Sequence, residues 1–322
     1  MTPANTILDI VNKEIETLQF DASPKSLFEP ISYILSLGGK RIRPVLTLLS
    51  CEMLGGKPKD AISTALAIEV FHNFTLLHDD LMDKAAIRRG KATVHKKWND
   101  NTAVLSGDAM LIASYHLIAK NKRKHLKELL HLFSQTATEI CCGQQLDMEF
   151  ESREDVTEEE YIEMIRLKTA VLLGCSLKSG AIIADASEKD ADLLYNFGIN
   201  LGLAFQLKDD LLDVYGDSKK FGKNIGGDIA SNKKTFLLIN ALKAESTREE
   251  LQSWIRKENF VRKEKVKAVT AIFNELKLKE LSESRIEDYY EKAISCLEQL
   301  DVPEKKKKEL YEIASGLSYR KS

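Results

Sequence analysis

Two segments of this 322-residue chain share one acidic spacing: His78-Asp79-Asp80-Leu81-Met82-Asp83 and Lys208-Asp209-Asp210-Leu211-Leu212-Asp213. On a helix, residues four apart lie on one face, within about 40° of rotation. Asp79 therefore pairs with Asp83 and Asp209 with Asp213, while Asp80 and Asp210 turn about 100° away. Carboxylates gathered in an apolar neighbourhood lose hydration and repel one another unless a cation compensates. Carboxylate pairs without histidine suit a hard cation such as Mg²⁺, which keeps its waters and bridges to phosphate oxygens. One such motif could be a solvated acidic helix end. Two, each inside an apolar run, point to a single magnesium–diphosphate site.

A diphosphate also needs cations, and they fall near expected helix ends. Gly38-Gly39-Lys40-Arg41-Ile42-Arg43-Pro44 places Lys40 and Arg43 three apart at a loop-to-helix junction. Glycines there let the backbone turn sharply, and free N–H groups add to anion binding. Arg88-Arg89-Gly90 follows the first acidic motif, and its adjacent arginines point in different directions. Lys168-Thr169 falls mid-helix, and Lys223 and Lys233 flank a glycine-rich stretch at 216–232. Each cation alone could be an ordinary surface charge. The segment is no Walker loop, because the G-x-x-x-x-G-K-[ST] spacing is missing.

The elements that must hold these residues are helices. Apolar residues recur with helical period over Ile7–Leu18, Leu27–Leu35 and Pro44–Met53, then from Ala61 to about Lys84. This last stretch is apolar nearly all round, as expected of a helix buried in the centre of a large bundle. Further helices are expected around 101–120, 123–150, 158–184, 188–216 and 233–244, with shorter charged ones over 247–319. No segment alternates with period two long enough for a convincing strand. Glu158–Glu160 reads as a helix N-terminal turn, and Lys305–Lys308 as a solvated helix start. The expectation is one all-α domain over residues 1–322, a single large helical bundle around a central cavity.

Composition narrows the function. Only 6 prolines and 16 glycines interrupt the chain, which suits helices joined by short connections. Charged residues reach 30% yet cancel to −2, so no global field draws the chain to nucleic acid or an anionic membrane. No stretch is long and apolar enough for a membrane span. The five cysteines show no C-x-x-C spacing, and the expectation is buried free thiols in a reducing compartment. With no signal-peptide pattern at Met1, the reading is cytoplasmic.

Six ordered segments resemble one family, the trans-isoprenyl diphosphate synthases (polyprenyl synthetases), of the short-chain type similar to geranylgeranyl and farnesyl diphosphate synthases. They are GGKRIRP at 38–44, HDDLMD with RRG at 78–90, GQQLDMEFE at 143–151, KTA at 168–170, FQLKDDLLD at 205–213 and GKNIGGD at 222–228. The resemblance implies an isoprenoid synthase fold and a homodimer through central helices. It implies that Lys40, Arg43, His72 and Arg89 bind isopentenyl diphosphate, and that Arg88, Lys168, Thr169, Gln206, Lys223 and Lys233 hold an allylic diphosphate. It makes Asp79, Asp83 and Asp209 the main Mg²⁺ ligands, with Asp80, Asp210 and Asp213 supporting or binding through water. One departure is Ser231-Asn232 ahead of Lys233, where the family usually has an acidic residue and glycine.

The implied reaction is head-to-tail (1′-4) condensation. Metal and cations draw charge from the allylic C–O bond, diphosphate leaves, and the isopentenyl double bond attacks the allylic cation. In this family the departing diphosphate is the expected base. Phe74 lies five residues before Asp79, with Thr75 beside it and Phe71 below. Phe74 is bulky enough to act as the floor for the growing product, and this pattern resembles members that make C20, with C15 next. A terpene cyclase would have no need of GGKRIRP and would usually replace the second acidic motif. A non-catalytic regulatory subunit would tend to lose one motif. His78-Asp79 also suggests a helical His-Asp metal phosphohydrolase, a class that needs further histidine ligands.

Overall fold

The computed structural model of the chain describes residues 1–216 and 225–318. The regular structure of these described residues is helical, apart from one hairpin of two two-residue strands. The chain falls into two compact units. The first holds Met1–Thr136, Leu172–Tyr195 and Leu300–Leu310; the second holds Ala137–Val171, Asn196–Gln299 and Tyr311–Ser322.

In the first unit α1 (Ala4–Glu16), α2 (Lys25–Ser36), α3 (Ile42–Met53), α5 (Val94–Lys97) and α6 (Asp100–Ile118) all pack on α4 (Pro58–Met82). The amphipathic outer helices bury stripes such as Ile7, Val11 and Ile15 of α1. Helix α4 is buried on every side, through Ala61, Ala65, Ile68, Phe71, Phe74 and Leu77 among others, as its continuous apolar run predicts. Pro58 occupies its first turn, where a missing N–H costs nothing.

Helix α4 stops two residues earlier than its periodicity suggests. Ala85 N–H bonds to Asp80 C=O and Lys84 N–H to Leu81 C=O, the pattern of a Schellman cap. The left-handed residue of that cap is Lys84 (φ 53°) and not a glycine, so no ordinary stop signal marks it. Strands β1 (Ile87–Arg88) and β2 (Lys91–Ala92) follow, too short to show in the pattern. The lysine run opens α16 (Glu304–Ser318) as expected, but it is not all solvated. Lys307 is buried and bonds Glu304, and Lys306 Nζ reaches Met53 C=O at 3.2 Å.

The second unit is built on two apolar clusters. One joins Phe150 of α7 (Arg123–Ser152) with Tyr161 and Ile165 of α8 (Glu158–Ile165), Leu203, Leu207 and Leu211 of α10 (Glu188–Tyr215), and Phe236. The other joins Val214 with Leu237 of α12 (Phe236–Lys243), Leu251 of α13 (Glu245–Arg256), Val269 and Phe273 of α14 (Arg262–Glu275), and Leu278 of α15 (Leu278–Glu298). Short α11 (Gly227–Ser231) precedes α12. The acidic stretch Glu158–Glu160 opens α8 as expected, and Thr157 with Glu160 closes a full capping box there.

Two expectations need correction. The single helix expected over 158–184 contains a π-helical turn at Arg166–Ala170, between α8 and α9 (Val171–Ile183). The cysteines are all free, but only Cys51 and Cys175 are buried. Cys141 and Cys142 are exposed, because they fall on the side of α7 turned away from buried Ile140 and Gly143.

Candidate functional site

The first acidic motif occupies the last turn of α4. Asp79 is half-buried, Asp80 is only 3% exposed, and Asp83 is exposed as the helix cap. Arg88 Nε lies 2.8 Å from each Asp80 oxygen, and its Nη2 reaches Asp79 at 3.4 Å. Burial raises the Asp80 carboxyl above its usual range despite this guanidinium. Burial works against the Arg88 charge too, yet Asp80 and Asp79 raise its pKa on balance.

Arg88 is aimed by the hairpin. Arg88 pairs with Lys91, and both intervening residues have positive φ, Arg89 at 52° and Gly90 at 74°. That is what a type I′ turn requires. Arg89 projects elsewhere and donates from Nη1 to Gly38 C=O. A Cβ on Gly39 would sit 2.8 Å from Arg89 Nη2, so the glycine pair receives this side chain as well as the sharp turn (φ 75° and 141°).

Behind the loop lies a buried pair the sequence did not single out. Arg41 Nη1 meets Glu69 Oε1 of α4 at 2.5 Å, Arg41 Nη2 donates to Leu35 C=O at 2.6 Å, and Asn73 Nδ2 donates to Glu69 Oε1 at 2.9 Å. Arg41 is left-handed (φ 47°) at the start of α3, so this pair pins the backbone between Lys40 and Arg43. Lys40 is exposed. Arg43 Nη1 lies 3.2 Å from His72 Nε2, and burial lowers the guanidinium pKa to about 10. The His72 ring is held well below its ordinary value, first by burial and then by Arg43, Arg89, Arg88 and Arg41. An open pocket of about 610 Å³ borders the loop, edged by Arg89, Lys91, Lys97 and Tyr33.

One turn of α4 inward is an aromatic stack. Phe74 (9% exposed) packs on His78 at 4.8 Å and on Phe71 at 5.4 Å between ring centroids. Phe71 meets Phe133 at 5.1 Å, which meets Tyr115 at 5.1 Å. Thr75 turns its hydroxyl back to His72 C=O. His78 Nε2 lies 3.2 Å from Val104 C=O.

The second acidic motif ends α10. Asp209 and Asp213 are half-buried, and Asp210 is buried. Asp210 accepts from Tyr161 OH and, at 3.0 Å, from Gln206 Nε2. Burial, and next the Asp228 carboxylate, raise its carboxyl to about 7. Asp213 accepts the Asp228 N–H at 2.9 Å and so fixes the start of α11. Gln206 Oε1 accepts from Thr169 Oγ1 at 3.2 Å.

Lys168 and Thr169 sit on the π-turn, the kind of helical irregularity that gathers at functional positions. Gly143 of α7 makes it possible: a Cβ there would be 2.4 Å from Lys168 N. One turn on, Asp147 Oδ2 takes Lys168 Nζ at 2.6 Å and Lys233 Nζ at 3.5 Å. Burial opposes its charge, but the two lysines hold the Asp147 carboxyl below the usual range. Asn232 is left-handed (φ 57°), a conformation asparagine tolerates better than most residues, so it turns the chain into Lys233 as glycine would. Its side chain donates to Ile255 C=O at 3.0 Å and accepts from buried Lys265 at 2.6 Å. Lys223 lies outside the described residues.

Among the described residues no three His, Cys, Asp or Glu side chains converge as a ready metal cage. The donors of the two motifs are carboxylate oxygens, the ligand type that suits a hard divalent cation.

The chain is similar over most of its length to proteins of known name. The polyprenyl synthetase family model matches residues 24–273. The chain belongs to the polyprenyl synthetase family. A short chain isoprenyl diphosphate synthase of Methanothermobacter thermautotrophicus is 42% identical over 248 residues, covering 76% of each chain. A geranylgeranyl diphosphate synthase of Sulfolobus acidocaldarius is 37% identical over 319 residues, covering 96% of each. A crystal structure of a geranylgeranyl pyrophosphate synthase matches with TM-score 0.96 at 46% identity, covering 100% of both chains. This polyprenyl synthetase is a prenyltransferase with the all-α isoprenoid synthase fold. No helix of its described residues is long and apolar enough to cross a membrane.

Sequence reasoning missed Arg41–Glu69, Asp147, Tyr161, Asp228 and the role of Gly143 in this synthetase. Gly143 and Asp147 stand inside GQQLDMEFE and Asp228 closes GKNIGGD, so those segments held a signal. Tyr161 carries none beyond its apolar register.

Proposed function

We propose that this prenyltransferase joins isopentenyl diphosphate head-to-tail to an allylic diphosphate, with Mg²⁺, and releases an all-trans C20 prenyl diphosphate. The observation that carries the reading is the convergence of Lys168 and Lys233 on a single Asp147 oxygen. Two ammonium groups against one carboxylate leave positive charge where an anion with several oxygens can replace or join it.

In this reading Lys168, Thr169, Gln206 and Lys233 hold the allylic diphosphate. Lys40, Arg43, His72 and Arg89 hold isopentenyl diphosphate. Asp79, Asp83 and Asp209 supply carboxylate oxygens to Mg²⁺, whose bound charge stabilises the departing diphosphate. Arg88 holds Asp80 and Asp79 in place, and Asp213 holds the segment that leads to Lys233. Half-buried Arg43 and neutral His72 present N–H donors in a largely desolvated setting, where they bind an anion more strongly than in water. The aromatic stack below Asp79 supplies an apolar floor for a hydrocarbon chain.

A homodimer is supported by α6, where Leu105 and Ile112 share a face and are 59% and 57% exposed. Five free cysteines support a reducing, cytoplasmic setting. The test is to incubate the purified protein with Mg²⁺, isopentenyl diphosphate and each of the C5, C10 and C15 primers. Radial chromatographic sizing should show a C20 product; no elongation of any primer would sink the reading. Light scattering that gives the mass of one chain would remove the dimer.

A further inference from the structure

The Asp210 carboxylate is turned into the core of the second unit, with a donor on each oxygen. Tyr161 OH donates to Oδ2, and Gln206 Nε2 donates to Oδ1 at 3.0 Å. The Gln206 amide accordingly turns its Nε2 end to Asp210. The amide oxygen is then presented to Thr169 Oγ1, at 3.2 Å. Four side chains thus form one line, Tyr161–Asp210–Gln206–Thr169. It runs from α8 through α10 to the π-turn that also carries Lys168.

The tyrosine is the fixed end of this line. Its ring is 1% exposed, held among Phe150, Met164, Leu207 and Leu211, so its hydroxyl has little freedom. Removing that hydroxyl leaves a buried carboxylate oxygen short of a donor, and the nearest replacement is the Gln206 amide. If Gln206 turns to serve it, Thr169 loses its acceptor.

We infer that Tyr161 is a positioning residue for the allylic diphosphate. Its hydroxyl holds Asp210 facing inward, and through Gln206 it keeps Thr169 Oγ1 in place beside Lys168, from where the hydroxyl can turn its one proton to a bound anion. Tyr161 touches neither substrate. The inference rests on the prenyl-transfer reading for the identity of the anion, but not for the existence of the line.

The variant that tests it is Tyr161→Phe, which keeps the packed ring and deletes one oxygen. The KM for the allylic primer should rise about tenfold, as expected when one buried hydrogen bond to a charged group is lost. The KM for isopentenyl diphosphate should stay within about twofold, since residues of the other unit bind it in this reading. Combined with Thr169→Val, the effects on primer KM should fall well short of additive, because both variants cut one line. Unchanged primer KM, an equal rise in both KM values, or full additivity would each overturn the inference. Should Tyr161→Phe fail to fold, Gln206→Leu cuts the line one link further on, and unchanged primer KM there overturns it equally. If the wild type makes no prenyl product, the functional reading fails first. Calorimetric titration with inorganic pyrophosphate and Mg²⁺ then still reads the line: about tenfold weaker binding in Tyr161→Phe supports it, and equal binding ends it.

Discussion

Arg88 Nε stands 2.8 Å from both oxygens of Asp80 while Nη2 of the same guanidinium reaches Asp79. One planar cation thus serves two consecutive carboxylates of the first acidic motif. Lysine is a point donor and cannot reproduce that fork. Arg88→Lys should lower kcat about 10- to 100-fold, in the range of a lost transition-state donor or positioning contact. Steady-state kinetics check it, and a kcat within twofold of wild type would contradict the arrangement.

Asp79 and Asp209 are the proposed metal ligands on their respective helices. Asp79→Ala and Asp209→Ala should each reduce turnover by about two orders of magnitude or more. Circular dichroism should show retained helix content. Near-wild-type turnover of either variant would remove that aspartate from the metal-binding set.

Phe74 caps the aromatic stack that continues through Phe71, Phe133 and Tyr115. Phe74→Ala opens the first layer and leaves Phe71 as the next obstruction, one helical turn inward. The product should lengthen beyond C20, and thermal stability should fall by about 3–5 kcal/mol for the lost ring. Product sizing decides it; unchanged length would place the floor elsewhere.

Gly143 is where α7 meets the π-turn. Alanine there would put a methyl 2.4 Å from Lys168 N and 2.8 Å from Leu167 C, both backbone atoms that cannot swing aside. Gly143→Ala should raise primer KM at least about tenfold and lower the unfolding midpoint, with overpacking costing about 1–3 kcal/mol. A variant with wild-type melting and primer KM would show that the π-turn tolerates displacement.

His72 is held neutral by burial and by the arginines around it. Its folded pKa lies below the unfolded value of 6.5, so below that pH the unfolded chain binds the extra proton. The contribution to stability is complete above pH 6.5 and is lost as pH falls from there toward the folded pKa. His72→Gln should flatten that part of the stability–pH curve. The check is urea unfolding between pH 5 and 8 on both proteins.

The residues legible in the sequence are those whose signal is local. Asp79 to Asp83 and Asp209 to Asp213 declare a helix face by spacing alone, and the apolar run from Ala61 announces a buried helix without reference to its neighbours. Gly38-Gly39 marks a turn for the same reason. What stayed hidden depends on partners distant in sequence. Asp147 is one acid in a charged stretch until Gly143 brings Lys168 to it. The π-turn inserts its irregularity without disturbing the apolar spacing on either side. Lys84 ends α4 in a left-handed cap that composition does not advertise, and Arg41 finds Glu69 only once α3 lies on α4.

The hairpin turn after α4 has a mechanical consequence. Arg88 and Arg89 are consecutive, so their Cα atoms are only about 3.8 Å apart, yet one grips Asp80 and the other the Gly38 carbonyl. Two adjacent residues of the turn thus tie the glycine loop to the acidic motif by side-chain contacts.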